Sequence, residues 1–200
     1  AIDKAERVRL PIGDVLVKHT RALLSGTFAG TATFTLFYLM TVFTLSWGTT
    51  ALHYARQDFL VLQMIGVVFF GAAIPLSALI ADRIGSRRMI IIATLCITAF
   101  GFLLAPLLGS GSTAGVVACL SLGLALMGLT YGPLGAALSG LFPTAVRYTG
   151  ASLAFNLAGI VGASLAPYLA TWLASRHGLP AVGWYLAVVG VVTLIALLAM

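Results

Sequence analysis

The chain has 200 residues, of which 60% are hydrophobic and only 8% are charged, and its formal net charge is +6. A water-soluble domain is closer to half apolar and a quarter charged, so this chain has too little polar surface to cover a globule in water. Its basic residues lie in short clusters between apolar runs, without an aromatic-basic stripe, which excludes nucleic acid as a partner. The composition therefore predicts an integral membrane protein whose solvent is a lipid bilayer.

The first 20 residues, AIDKAERVRLPIGDVLVKHT, are polar and basic, and they contain neither a spanning segment nor a cleavable signal. We interpret residues 1–20 as the end of a cytoplasmic linker that is interrupted at Pro11, because proline cannot continue a regular helix. The chain begins without Met and stops at Met200 within an apolar run. We therefore expect it to be a piece of a longer protein.

Six apolar runs occupy residues 21–200, which we interpret as one transmembrane domain. A bilayer core of about 30 Å is crossed by roughly 20 residues of helix, and each run is that long. The runs are continuous and lack the period-two alternation of a membrane barrel, which favours helices. The predicted helices cover residues 22–47, 58–80, 89–108, 113–138, 148–172 and 181–200. The predicted fold class is an all-α membrane protein with six transmembrane helices.

The placement of Lys and Arg predicts the orientation of these helices. Nine of the eleven fall on the side that holds the amino terminus, and two, Arg56 and Arg176, fall on the other. Because cytoplasmic loops carry the excess of Lys and Arg, both termini and the loops after the second and fourth helices are expected in the cytoplasm. Trp47, Trp172 and Trp184 lie at predicted outer ends, where an indole ring prefers the headgroup level.

Residues that could carry catalysis are missing from the predicted helices. The three histidines, His19, His53 and His177, lie in the linker or in loops, and no His-Glu-x-x-His pattern occurs. We therefore expect no enzyme activity, no cofactor and no metal. Asp58, at the outer mouth of the second helix, is the ionisable residue closest to a span interior. If the protein moves protons, we expect the titrating carboxylate to lie outside this chain.

Four uncharged polar residues are the candidates for lining a substrate pathway: Tyr38, Gln63, Tyr131 and Asn156. A polar side chain that is hidden from lipid needs a hydrogen-bond partner or a wet cavity. Hydrogen bonding between helices is the alternative role for each of them.

Small residues and prolines are frequent in the fourth and fifth helices. Gly132 and Pro133 lie in the fourth helix, and Pro167 lies in the fifth. Proline removes a backbone hydrogen bond and allows a bend, and glycine lets helices approach closely. We predict helix bending at these positions, with tight packing as the alternative explanation.

The loop ADRIGSRR, between the second and third predicted helices, holds Asp82, Arg83, Arg87 and Arg88 within seven positions. Gly85 permits a tight turn there, since glycine tolerates positive φ. This loop resembles the D-R-x-G-R-R signature of the major facilitator superfamily, where it follows the second helix of each six-helix half. The resemblance implies that the loop acts as a cytoplasmic latch, which holds one conformation closed.

A second stretch, residues 131–171 with the motif LFPTAVRYTGAS, is similar to the junction of the fourth and fifth helices in the carboxyl-terminal half of the metabolite:proton symporter family. Residues 36–49, LFYLMTVFTLSWGT, also resemble the seventh helix of that family. The geometry implied by the resemblance brings the two inner loops together and adds Arg147 to the latch.

The family pattern has an acid where this chain has Gly140, so Asp82 is the only acid in the two inner loops. Because the resemblance implies that these two loops meet, we expect the Asp82 carboxylate to lie within hydrogen-bonding reach of Arg147 or of Arg87 or Arg88, as a charge-assisted pair. The alternative is an exposed loop whose charges meet only lipid headgroups.

The resemblance implies that the six spans are helices seven to twelve of a twelve-helix carrier, whose amino-terminal six-helix half is missing here. The implied function is proton-coupled symport of a small organic anion or zwitterion (a dicarboxylate, a shikimate-like acid, or a betaine- or proline-like molecule) by alternating access. The expected partners are a small-molecule substrate, a proton, the lipid bilayer of a bacterial inner membrane, and the missing half.

Two other classes of membrane protein are alternatives to a carrier. A self-assembling six-helix membrane protein with a structural or sensing role is the main alternative. A channel is disfavoured, because the sequence has neither a ring of charges nor a filter-like loop.

Overall fold

The computed structural model describes residues 11–200, and within that range the regular structure is entirely helical. A short helix, α1 (Pro11–Lys18), precedes six long ones. These are α2 (Thr20–Thr50), α3 (Arg56–Ile84), α4 (Ser86–Gly109), α5 (Thr113–Ser139), α6 (Arg147–His177) and α7 (Leu179–Ala199). All six are long and apolar enough to cross a membrane, so the predicted fold class is confirmed.

The predicted helix boundaries differ from the observed ones by at most five residues. The largest difference is at the end of the fifth span, where residue 172 was expected and α6 continues to His177. Apolar residues mark only the part of a helix that lies in hydrocarbon, whereas α6 itself continues up to Gly178, whose φ of 79° is a conformation that ends a helix. The carboxyl-terminal end of α6 includes Arg176 and His177, which suit the last turn of a helix.

Pro11 is the first residue of α1, so a helix begins within the segment that we interpreted as a linker. Proline is tolerated in the first helical turn, where its missing N–H would have no intrahelical partner. Val15 of α1 is fully buried in the same cluster as Phe142 and Val146, so this helix packs on the segment that joins α5 to α6. The remaining part of the predicted linker, residues 1–10, lies outside the described residues.

The long helices pack in pairs. α3 lies chiefly against α5, α4 against α7, and α2 against α6, with further contacts from α2 to α7 and from α4 to α5. Glycine permits the closest approach: a Cβ on Gly101 of α4 would lie 2.6 Å from the carbonyl oxygen of Gly183 of α7. Small residues at crossings are the usual way for membrane helices to gain packing energy, since burial from lipid supplies little.

Two buried threonines connect α2 to its neighbours by hydrogen bonds. Thr193 of α7 accepts a bond from the Ala32 amide (3.1 Å) and donates one to the Phe28 carbonyl (2.9 Å). Thr35 of α2 donates to the Gly162 carbonyl of α6 (3.1 Å).

α2 changes its winding in the middle of its length. It is α-helical to Tyr38, π-helical over Leu39–Phe43, and α-helical again over Thr44–Thr50. A π turn moves backbone carbonyls out of the regular ladder, so they need other donors. Gln63 of α3 is buried at this level, and its Nε2 lies 3.0 Å from the Met40 carbonyl oxygen and 2.8 Å from the Thr41 carbonyl oxygen.

We expect Gln63→Leu to destabilise the protein. Leucine fills a similar volume but has no donor, so the carbonyls of Met40 and Thr41 lose their side-chain partner in an apolar environment, at a cost of about 1–3 kcal/mol. The measurement is the midpoint of thermal unfolding of the purified protein in detergent. Met64→Leu, at the exposed neighbouring position, is the matched control. Equal midpoints for the two variants would contradict the role assigned to Gln63.

Candidate functional site

Two cavities lie on either side of the same stretch of α2. The first, about 400 Å³, lies between α2 and α6 and is lined by Phe34, Tyr38, Phe155 and Asn156, together with small and aliphatic residues of α6. The second, about 350 Å³, lies between α2, α3 and α5. Since Phe34 and Tyr38 line both cavities, these two side chains form the partition between them.

Six aromatic rings surround the two cavities, and we call them the aromatic wall: Phe34, Phe37, Tyr38, Phe70, Tyr131 and Phe155. The rings contact one another in series from α2 to α6, α5 and α3. Phe34 meets Phe155 edge to face at a centroid distance of 5.0 Å, Phe155 lies 6.2 Å from Tyr131, and Tyr131 lies 6.0 Å from Phe70.

Edge-to-face pairs of this kind contribute about 0.5–1.5 kcal/mol each beyond area burial, and they fix the orientation of both rings. Tyr38 is held in the same way by Phe37, at 5.4 Å and an interplanar angle of 85°. The aromatic wall is therefore a structured surface with fixed ring orientations.

The wall lies near the middle of the helices that carry it. The midpoint of α2 is residue 35, that of α3 is residue 70, that of α5 is residue 126 and that of α6 is residue 162. Phe34, Phe70 and Tyr131 lie within five residues of these midpoints. A helix that crosses the bilayer has its midpoint close to the bilayer midplane, which is where carriers bind their substrates.

The structure brings together three of the four residues that were predicted from the sequence to line a substrate pathway. Tyr38 and Asn156 line the first cavity, and Tyr38 and Tyr131 line the second. Asn156 is exposed, and its Nδ2 donates to the Ser152 carbonyl at 2.8 Å. Gln63 lines neither cavity, because its amide group bonds to the π-helical part of α2. For Gln63 the observed contacts are those of the alternative role, a hydrogen bond between helices.

The four phenylalanines of the wall were missed by the sequence analysis. An aromatic residue in an apolar helix has the same appearance in the sequence whether it faces lipid, a neighbouring helix or a cavity. The polar residues beside them, Tyr38 and Asn156, were the available signal.

The residues predicted to allow helix bending, Gly132, Pro133 and Pro167, differ in their local helix geometry and packing. α6 is interrupted between Ala163 and Ala166, and Pro167 is the second residue of its outer segment, so Pro167 lies directly after a break. α5 continues through Pro133 to Ser139. A Cβ on Gly132 would lie 2.8 Å from the Ile74 carbonyl oxygen, so this glycine is required for the close packing of α5 on α3.

The loop that carries the predicted latch is short. α3 ends at Ile84, α4 begins at Ser86, and Gly85 between them has φ 92°, the region that favours glycine. The side chains of Asp82, Arg83 and Arg88 are exposed at the end of the bundle that holds the α3–α4 turn.

The expected pairing of Asp82 with an arginine is wrong for this structure. Within residues 11–200 the recorded ion pair is Lys18 with Asp14 of α1, and no hydrogen bond involves the Asp82 carboxylate. Arg87 instead donates from Nε to the Leu197 carbonyl (2.8 Å) and from a terminal nitrogen to the Leu198 carbonyl (3.0 Å).

Arg87, near the start of α4, binds backbone carbonyls in the last turn of α7, and Arg147, at the start of α6, binds one in the segment that precedes α6. A backbone carbonyl oxygen carries a partial negative charge, so a guanidinium donor forms a charge-assisted hydrogen bond with it. Arg147 similarly directs its Nε at the Phe142 carbonyl, at 3.3 Å. Arginine–backbone bonds thus hold the start of α4 to the end of α7 and the start of α6 to the α5–α6 segment.

We expect Arg87→Leu to lower the thermal unfolding midpoint measured in detergent, because two charge-assisted bonds between α4 and the end of α7 are lost. Hydrogen bonds to charged groups contribute about 1.5–3 kcal/mol each when protected and less at an exposed site. Arg88→Leu removes the same charge from the adjacent exposed position and is the matched control. An Arg87→Leu midpoint equal to that of Arg88→Leu would contradict the assignment.

Comparison with known proteins identifies relatives of the whole six-helix unit. The family model described as sugar (and other) transporter matches residues 22–199. An inner membrane metabolite transport protein, YhjE of Escherichia coli K12, is 50% identical over 96% of this chain and 45% of its own length. A citrate-proton symporter of Salmonella typhi is 31% identical over 86% of this chain and 40% of its own length.

A proline/betaine transporter of Salmonella typhimurium is 29% identical over 94% of this chain and 37% of its own length. The chain thus spans less than half the length of these curated relatives. Their names describe transporters and not enzymes, in agreement with the absence of a catalytic motif from the predicted helices. The resemblance drawn from the loop and junction motifs is confirmed, and the chain belongs to the sugar (and other) transporter family of the major facilitator superfamily.

Proposed function

We propose that this chain is the carboxyl-terminal half of a secondary active transporter, which carries a small organic anion or zwitterion together with a proton by alternating access. The observation that supports the proposal most directly is the pair of cavities at the level of the helix midpoints. Their lining residues come from four different helices, which is the arrangement that carriers use to hold a substrate between two halves.

The least buried spans support a partner half on this side of the molecule. In the most apolar 18-residue stretch of each span, only 22% of the residues of α3 and 28% of those of α6 are buried, compared with 61% for α2. α3 and α6 also flank the aromatic wall, so an amino-terminal half that packed on them would close the cavities. The remaining length of YhjE, of which this chain covers 45%, is sufficient for a second half of similar size.

Proton coupling is proposed from the relatives and from the distribution of acids. One relative is named as a citrate-proton symporter. The five acidic residues of this chain are Asp3, Glu6, Asp14, Asp58 and Asp82, and the predicted spans place none of them near a bilayer centre. The carboxylate that exchanges the proton would then lie in the amino-terminal half, where an intramembrane acid marks a proton path.

Saturable uptake by the full-length transporter is the expected result in proteoliposomes with an imposed inward proton gradient. The probes are radiolabelled glycine betaine, proline, citrate and 2-oxoglutarate, and empty liposomes are the control. A protonophore should abolish accumulation above equilibrium, because the gradient is its energy source. Accumulation that survives collapse of both the pH gradient and the potential would refute proton coupling, and failure to take up any of the four would refute the function.

The proposed location is the bacterial inner membrane, with both termini and the loop at Gly85 in the cytoplasm. The excess of Lys and Arg on that side supports this orientation. Trp172 and Trp184 at the opposite side are exposed, as expected for rings at a lipid headgroup level.

We expect a cysteine at position 86 to be protected in intact cells. In a cysteine-less full-length transporter, Ser86→Cys at the start of α4 should react with an impermeant maleimide only after the membrane is opened. Thr50→Cys at the end of α2, on the opposite side of the bundle, should react from outside. The reverse pattern would reject the orientation.

A further inference from the structure

We propose that a groove between α2 and α7 binds an anionic phospholipid, with the phosphate beside Arg21 and an acyl chain along the apolar lining. The groove lies on a different pair of helices from the aromatic wall, so the inference does not depend on the substrate or on its coupling to a proton. Its basis is a pair of joined cavities, one apolar and one polar, at the end of the bundle that holds the α3–α4 turn.

The apolar part of the groove is a cavity of about 560 Å³. Leu24 and Phe28 line it from α2, and Val192, Ile195 and Ala196 line it from α7. All of these side chains except that of Ala196 are exposed, although they belong to spans that are long and apolar enough to cross a membrane. In a bilayer, the apolar molecule that meets such a surface is a lipid.

The length of the apolar part suits an acyl chain. Its lining on α2 extends from Thr20, the first residue of the helix, to Phe28, which is about 12 Å at 1.5 Å per residue. On α7 it extends from Val192 to Ala199, the last residue of that helix. One leaflet contributes half of a hydrocarbon core of about 30 Å. The groove therefore follows most of the path of an acyl chain from the headgroup toward the midplane.

The polar part of the groove is a second cavity of about 480 Å³ at the same helix ends. Arg21, Ser25 and Ala199 line both cavities, which makes the two continuous. Lys18 and His19 line the second cavity alone. The described lining of the two cavities contains no Asp or Glu, so the groove presents basic groups at its polar end and apolar groups along the rest.

Arg21 is the basic residue that this arrangement offers to an anion. Lys18 already pairs with Asp14 at 2.6 Å, whereas within residues 11–200 no ion pair is recorded for Arg21. A guanidinium binds a phosphate through parallel N–H donors, which gives a strong charge-assisted pair. Basic pockets between spans are also where anionic lipid headgroups bind on the cytoplasmic side, the side proposed for this end of the bundle.

A segment of the protein is the other occupant that a groove of this kind could have. Residues 1–10, AIDKAERVRL, lie outside the described residues, and half of them are charged. Placing those charges in an apolar cavity at hydrocarbon depth is strongly unfavourable. A phospholipid has its charge at one end and an apolar chain below it. The groove has the same order, polar at the helix ends and apolar toward the midplane.

The test is photocrosslinking of the full-length transporter in liposomes of phosphatidylethanolamine with a minor fraction of phosphatidylglycerol, both with the same acyl chains. Benzoylphenylalanine replaces Phe28 in one protein and Leu95 in another, and mass spectrometry identifies the adducts. Phe28 follows Arg21 by seven residues in the groove. Leu95 follows the exposed Arg88 by seven residues on α4, is itself exposed and lines neither cavity. It therefore controls for an arginine that meets lipid without a groove.

We expect the enrichment of phosphatidylglycerol over the bulk mixture to be roughly fivefold greater at position 28 than at position 95. A phosphate held against Arg21 in the groove is less screened by water than one beside the exposed Arg88. Equal enrichment at the two positions would overturn the proposal. Crosslinking of position 28 chiefly to a peptide of the transporter would also overturn it, because a protein segment would then fill the groove. Both leaflets have the same composition, so neither outcome depends on the orientation of the protein.

Variants of Arg21 test its role in the groove. In the position-28 protein, Arg21→Gln should reduce the enrichment to the level found at position 95, whereas Arg21→Lys keeps the positive charge and should retain most of it. Arg88→Gln removes the same charge outside the groove and should leave the enrichment at position 28 unchanged. Undiminished enrichment in Arg21→Gln would contradict the assignment of the phosphate to Arg21. The comparison of positions 28 and 95 needs no change at Arg21, so it decides the proposal even if Arg21→Gln fails to fold.

Discussion

Backbone hydrogen bonding within an apolar solvent is the constraint on which this structure depends. In hydrocarbon each carbonyl must find its donor inside the protein, so a departure from the regular helical ladder is stable only beside a matching side chain. α2 illustrates this at its π-helical segment, where Gln63 of α3 donates to two carbonyls. At the level of Phe28 and Ala32, the Thr193 hydroxyl of α7 makes both kinds of bond to the α2 backbone.

These contacts also position the aromatic wall. Tyr38 is the last α-helical residue before the π segment, so the change in winding sets the direction in which Tyr38 and Phe37 leave α2. Thr35, one turn earlier, is bonded to the carbonyl of Gly162 in α6, the helix that carries Phe155 and Asn156. Thr35 and Gln63, which donate hydrogen bonds to backbone carbonyls inside the bundle, therefore also fix the geometry of the aromatic wall, which has few polar groups of its own.

The spans could be predicted from the sequence because hydropathy and length are properties of single segments. The π segment could not be predicted, because Leu39–Phe43 contains neither Gly nor Pro and its partner Gln63 comes from another helix. The partners of Arg87 are the carbonyls of residues 197 and 198, which every residue type supplies, so no sequence signal distinguishes them from other backbone groups. Asp82 was the visible acid, and the pairing expected for it followed from its charge and from the loop geometry that the family resemblance implied.

The position of the charged residues has an electrical consequence. Every Asp, Lys and Arg within the six described spans lies within three residues of a helix end. Work against a membrane potential is about 2.3 kcal/mol for each elementary charge that crosses 100 mV, and a charge that stays at the headgroup level crosses little of that field. A rocking motion of this half would thus move almost no charge through the membrane. In the proposed transport cycle, the voltage dependence would then come from the ions that are carried and from the proposed amino-terminal half.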